Sequence, residues 1–137
     1  MGRLSVKPKK YLLDTHALFS WVTKEYISEE FSDFIDNESR NGAVYVSTIS
    51  FWEIALLKKK GRVAIHDLHS WMHDIANFSP AKFIDPTPVD MIDSTILPDI
   101  HKDPFDRLLI AQAKNLNSYL VTKDAIITRY KIKTVWL

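Results

Sequence analysis

Apolar positions along the chain alternate between short unbroken runs and helical spacing. Tyr11-Leu12-Leu13 is a run that stops at Asp14-Thr15, and Ala17, Leu18, Trp21 and Val22 then follow at the spacing of one helix face. Ser28 is placed to cap a second helix reaching about Glu38, with Phe31, Phe34 and Ile35 on its apolar side. Asn41-Gly42 marks a turn, and residues 43–46 read as a buried strand. Ser47 and Thr48 offer caps to a helix carrying Phe51, Trp52, Ile54, Ala55 and Leu56. That helix runs into Lys58-Lys59-Lys60 and stops at Gly61, with cations at the negative end and glycine beyond it. Residues 66–78 are expected to be helical, 81–88 extended, and 89–97 helical. Asp103-Pro104 opens the clearest helix, with Asp at the cap and Pro at the first helical position. Its apolar face is Phe105, Leu108, Leu109 and Leu116, interrupted by Gln112. Residues 118–122 form a strand ending at Lys123-Asp124. A short helix over 125–130 and a strand over 134–137 complete the pattern.

Strands alternating with helices predict an α/β fold, a sandwich around a mostly parallel sheet. The length of 137 residues suits one domain. Residues 1–10 read as a basic arm and 11–137 as a single domain. There is no cysteine, which excludes a disulfide scaffold, a thiol nucleophile and Cys-based metal sites. Three glycines leave no room for a Gly-rich phosphate loop. Net charge is only +1, so nucleic-acid contact has to rest on local patches. No apolar run approaches a membrane span or a secretory signal, and the composition suits the cytoplasm.

In an open parallel sheet, ligands bind beyond the carboxyl ends of the strands. Asp14 and Asp124 end strands there. Glu53 lies about two turns into the helix after strand 43–46, and Asp103 and Asp106 lie in the first turn of theirs. Each acid also has an ordinary use: Asp103, Asp106 and Asp124 as helix caps, Glu53 on a solvated face, Asp14 as a structural strand end. Together, several carboxylates in one volume raise one another's pKa unless a cation neutralises them. All-oxygen donors favour a hard ion, Mg2+ or Mn2+. Such an ion activates water and offsets charge on a phosphoryl oxygen, which suits phosphodiester hydrolysis.

Five segments carry a resemblance. Tyr11-Leu12-Leu13-Asp14-Thr15-His16 resembles the opening strand of PIN domains, and Val46-Ser47-Thr48-Ile49-Ser50-Phe51-Trp52-Glu53-Ile54-Ala55 the family's second motif. His101-Lys102-Asp103-Pro104-Phe105-Asp106-Arg107-Leu108-Leu109-Ile110-Ala111-Gln112-Ala113 is similar to the third motif of a VapC-like subgroup. Leu120-Val121-Thr122-Lys123-Asp124 resembles the fourth. The stretch from Tyr130 to Trp136 resembles that subgroup's last strand. The resemblance implies a three-layer sandwich whose acidic site is Asp14, Glu53, Asp106 and Asp124. Asp103 is then an auxiliary acid and Thr122 a nearby hydroxyl. It further implies a Mg2+- or Mn2+-dependent endoribonuclease, a small antitoxin partner and frequent homodimers. The basic arm departs from the family's usual start.

Arg107 and Lys123 sit beside motif acids and are candidates for phosphate contact or for pairing with the acids. Lys58-Lys59-Lys60 with Arg62 are candidates to grip RNA or simply to suit a helix end. His66, His69 and His73 cluster without a fourth ligand, so a solvated face outweighs a zinc site. His16 and His101 flank motif acids and are possible substrate contacts. Among Phe19, Trp21 and Trp52, some are candidates for an antitoxin groove, although tryptophan is more often core. A haloacid-dehalogenase-type phosphatase would need an acid where His16 stands, and a receiver domain's mid-chain Asp and late Lys-Pro have no counterpart. The serious rival is a non-catalytic PIN-fold module that binds protein or RNA.

Overall fold

The computed structural model describes residues 8–137, so most of the expected basic arm lies outside the described residues. Five strands form one sheet: β1 (Tyr11–Leu13), β2 (Val44–Ser47), β3 (Lys82–Ile84), β4 (Tyr119–Val121) and β5 (Thr134–Val135). Their order is β3-β2-β1-β4-β5 and every pairing is parallel, so the sheet is wholly rather than mostly parallel. The helices are α1 (Thr15–Thr23), α2 (Glu29–Arg40), α3 (Ile49–Lys59), α4 (Leu68–Phe78), α5 (Pro88–Thr95) and α6 (Pro104–Leu116). The architecture is the expected three-layer α/β sandwich.

Strand alternation divides the interior. Tyr11, Leu13, Val44, Val46 and Val121 face one layer, with Leu18, Phe31, Ile35, Ile54 and Ile75 packed on them. Leu12 and Leu120 face the other, against Leu109, Ile110, Ala113 and Ile127. Leu12 and Leu13 are both fully buried, one in each layer. Burial of such side chains is worth about 1.5–3 kcal/mol each, which offsets the cost of the carboxyl that follows them.

Most helix starts follow the sequence signals. Ser28 Oγ accepts the Phe31 N–H at 3.0 Å, and Asp103 Oδ1 accepts the Phe105 N–H at 2.8 Å. Three details differ. Thr48 makes no side-chain cap for α3, because its hydroxyl donates to Asp85 Oδ1 at 2.8 Å and ties β2 to the loop after β3. The helix expected from residue 66 starts at Leu68, since Asp67 is its cap. The helix expected over 125–130 is a single 3-10 turn, Ile127–Arg129, because Asp124 Oδ1 takes the Ile126 N–H in a tight turn first.

Topology then places the site. The chain runs outward through β1, β2 and β3, returns across the sheet, and adds β4 and β5 on the far side of β1. The switch point therefore lies between the carboxyl ends of β1 and β4, where a crevice opens. Asp14 follows β1, and Thr122-Lys123-Asp124 follows β4.

Candidate metal centre at the carboxyl edge of the sheet

Asp14 is only 3% exposed. Its Oδ1 accepts the Ala17 N–H at 2.7 Å, which caps α1, and its own N–H donates to the Val121 carbonyl at 3.0 Å. Burial pushes its carboxyl up, and hydrogen bonds from Thr122 and the Ala17 amide offset part of this. Glu53 stands on α3. Its Oε1 is buried and has no hydrogen-bond partner. Burial pushes Glu53 up, partly countered by the Thr15 hydroxyl, and the charges of Asp103 and Asp14 add to the rise. Asp103 caps α6. One turn on, Asp106 is raised from 3.8 to about 8, by burial first and then by Asp103, Glu53, Asp14 and Asp124. Asp124 behaves differently. Burial pushes it up, but bonds from the Ile126 amide and His101 hold it below the ordinary carboxylate value. Thr122 is buried, and its Oγ1 accepts the Asp124 N–H at 3.1 Å.

Helix α6 starts at the same edge at which β1 and β4 end, so five acids from four segments feel one another's charge. A site that raises three carboxyls and leaves Glu53 Oε1 without a donor is short of positive charge. The donor atoms are oxygens. Both facts fit a hard divalent cation at this edge.

A profile of the PIN domain family matches residues 11–133. The chain belongs to the PIN-domain family. Solved structures with this fold include VapBC2 from Rickettsia felis bound to a DNA fragment from their promoter. That chain shares 17% identity at a TM-score of 0.71, with 93% of this chain and 98% of that one covered. FitAcB from Neisseria gonorrhoeae shares 15% at 0.67, with 92% and 96% covered. A toxin-antitoxin complex from Klebsiella pneumoniae shares 15% at 0.65, with 93% and 97% covered. No curated protein sequence matches the chain.

The basic residues of this PIN domain have diverse occupations. Arg107 is taken up by backbone: Nε donates to the Ser94 carbonyl, Nη1 to those of Pro98 and His101, and Nη2 to that of Leu97, at 2.9–3.1 Å. Nη1 also reaches the Tyr130 hydroxyl at 3.4 Å. It thus braces the loop before α6. Lys58 Nζ donates to the His66 carbonyl at 2.9 Å. Lys123 lies over the rings of Tyr26 and Trp136, at 5.7 and 5.5 Å from their centroids. It also lines a groove of 390 Å³ beside the acids, together with His16, Glu53, Arg62 and Asp103. Phe19 lines the same groove. Trp21 is buried, donates to Asp36 Oδ1 at 2.7 Å and borders a separate cavity of 460 Å³ with Trp71, Ile75 and Phe78. Trp52 is 60% exposed, edge-on to Phe105. His66, His69 and His73 are exposed. Among the described residues, the grouping of imidazole and carboxylate atoms close enough to share an ion is His101, Asp106 and Asp124.

His101, a possible substrate contact by sequence, faces two of the acids instead. It flanks a motif acid, but its partner Asp124 lies 23 positions away, so only the fold could bring the two together. Among the described residues no helix is long and apolar enough to cross a membrane.

Proposed function

We propose that this PIN domain is a metal-dependent endoribonuclease, the VapC-like toxin of a toxin–antitoxin pair, folded as one domain over residues 11–137 and acting in the cytoplasm. The observation that carries the reading is the charge deficit at the β1/β4 crevice: Asp106 raised to about 8 beside a buried Glu53 Oε1 with no partner. A PIN fold that served only as a platform would have no need of that arrangement, because clustered buried carboxylates cost stability unless a cation is to be held.

Asp14, Glu53, Asp106 and Asp124 would hold Mg2+ or Mn2+, with Asp103 as an auxiliary acid and Thr122 orienting its neighbours. An ion held there would supply Lewis acidity, acidifying water for attack and offsetting charge on the phosphoryl oxygens. The protein's own share is to fix the carboxylates and to present the groove, where Lys123 and Arg62 are available to RNA phosphates. Lys58 and Arg107 support this reading less, since both are engaged with carbonyls. Of the partner assignments, a small antitoxin and a second copy of the chain, the first is supported by the toxin–antitoxin complex of like fold. They are also supported by exposed apolar side chains such as Trp52, Met91, Ile92 and Phe78.

The test is cleavage of a mixed RNA pool by the purified protein with Mg2+ or Mn2+, with chelator, and with Asp14→Asn and Asp106→Asn. Cleavage that requires both the metal and the acids is the expected result. Cleavage that survives chelator and both substitutions would overturn the reading. A protein that neither binds Mn2+ nor cuts would return the non-catalytic module.

A further inference from the structure

His101 stands between two acids that come from different parts of the chain. Its Nε2 lies 3.0 Å from Asp106 Oδ2, on the first turn of α6, and 3.2 Å from Asp124 Oδ2, beyond β4. Its other ring nitrogen, Nδ1, accepts the backbone N–H of Asp103 at 3.1 Å. The backbone is fixed as well: the His101 N–H donates to the Tyr130 hydroxyl at 2.7 Å, and its carbonyl accepts from Arg107 at 3.1 Å.

These contacts set the tautomer. An amide N–H aimed at Nδ1 needs a lone pair there, so the ring proton belongs on Nε2, where it donates to Asp124 with Asp106 Oδ2 close by. A ring in that state cannot offer Nε2 to a metal while it keeps the Asp103 bond. It can donate. Its acceptor is Asp124 Oδ2. Asp124 Oδ1 is engaged by the Ile126 N–H at 2.8 Å, so the direction of the Asp124 carboxylate is fixed from two sides.

We propose that His101 is a positioning residue of the metal centre. By donating its Nε2–H to Asp124 while the same nitrogen lies against Asp106 Oδ2, it holds two mutually repelling carboxylates at a fixed spacing and leaves their remaining lone pairs for the cation. This rests on the metal-centre reading above. Asp103 has a double part here, because its side chain starts α6 and its amide selects the tautomer of the ring. Such outer partners of metal ligands typically govern affinity by about 10–100-fold.

The experiment is calorimetric titration of Mn2+ into the full chain, as wild type, His101→Ala and His101→Gln, with pulsed electron paramagnetic resonance of the Mn2+-loaded samples. Glutamine places an amide N–H donor near the position of Nε2 but offers a metal no imidazole nitrogen. Mn2+ binding about 10–100-fold weaker in His101→Ala, near-wild-type binding in His101→Gln, and no 14N coupling that depends on His101 are the expected results. A 14N coupling present in wild type and lost in His101→Gln would make His101 a direct ligand and overturn the proposal. So would unchanged affinity in a folded His101→Ala, or an equal loss in a folded His101→Gln. If His101→Ala does not fold, the affinity and spectrum of His101→Gln decide. Wild type that binds no Mn2+ would defeat the metal-centre reading itself, and this proposal with it. Wild type that binds while the variants behave as in the overturning cases would defeat the role of His101 alone.

Discussion

Replacing Asp106 with asparagine should stabilise the metal-free protein at alkaline pH and do little in acid. The Asp106 side chain is 15% exposed, and its carboxyl is raised from 3.8 to about 8 by burial and by four neighbouring acids. The folded state therefore holds this proton more tightly than the unfolded chain does. Below pH 3.8 both states are protonated and Asp106 has no effect. As pH rises toward 8 stability is lost progressively, and above 8 the loss is complete. At about 1.4 kcal/mol per tenfold in proton affinity, the ceiling is roughly 6 kcal/mol. The acids titrate as a coupled set, and protonation of Glu53 relieves part of the repulsion, so about 2–3 kcal/mol is the expected effect. Asparagine removes the charge but keeps an acceptor for His101. At about 3–5 °C per kcal/mol for a chain of this size, the melting temperature should rise by roughly 6–15 °C at pH 9 and hardly at all at pH 4. Thermal melts in chelator across that range read the effect directly. An equal gain at every pH, or a loss at pH 9, would refute the account, since neither follows from a proton held by burial and repulsion. Saturating Mg2+ should narrow the gap at high pH, because a ligand at a hundred times its Kd adds about 2.7 kcal/mol to the form that binds it.

Arg107→Ala removes the brace on the loop before α6 and strands several carbonyls. Urea unfolding should show a loss of about 2–4 kcal/mol, and a loss under about 0.5 kcal/mol would mean that the carbonyls find other partners. Lys123→Ala should lower RNA affinity and reduce the slope of log affinity against log salt by about 0.7, the share of one phosphate contact on a single strand. A slope equal to wild type would remove Lys123 from the RNA path.

The layers were legible because their causes are local. Tyr11-Leu12-Leu13 can only be a short buried run, and Asp103-Pro104 carries both preferences of a helix start in adjacent residues. The positions of Asp14, Asp103, Asp106 and Asp124 at one edge followed from the parallel sheet, which puts every strand's carboxyl end on the same side. The finer geometry had no local cause to read. Thr48 forgoes capping because Asp85 lies across the β2–β3 pair, 37 positions away. Arg107 sits next to an acid in sequence, yet its guanidinium meets the carbonyls of a loop that the sequence left featureless. Spacing alone cannot tell a basic side chain that faces a phosphate from one that satisfies buried backbone, because both uses tolerate the same position on a helix.

The remaining question is why a chain of 137 residues keeps such a costly edge. Three of the acids at it are not placed by accident of packing, for each of the three is held by a backbone donor that would suit a smaller polar residue equally well. Asp14 takes the Ala17 amide, Asp103 that of Phe105 and Asp124 that of Ile126. Asparagine or serine would serve those bonds without the charge. The backbone bonds therefore explain the positions and leave the charges unexplained. Glu53 and Asp106 have no such amide at all: Glu53 Oε1 is unpartnered, and Asp106 Oδ2 lies 3.0 Å from His101 Nε2. Folding gains nothing from the charge on the raised carboxyls of Asp14, Glu53 and Asp106, and loses about 2–3 kcal/mol at Asp106 alone once that residue is ionised. On the metal-centre reading, a divalent cation would recover that loss on binding, and the metal-free protein would be the more strained of the two states.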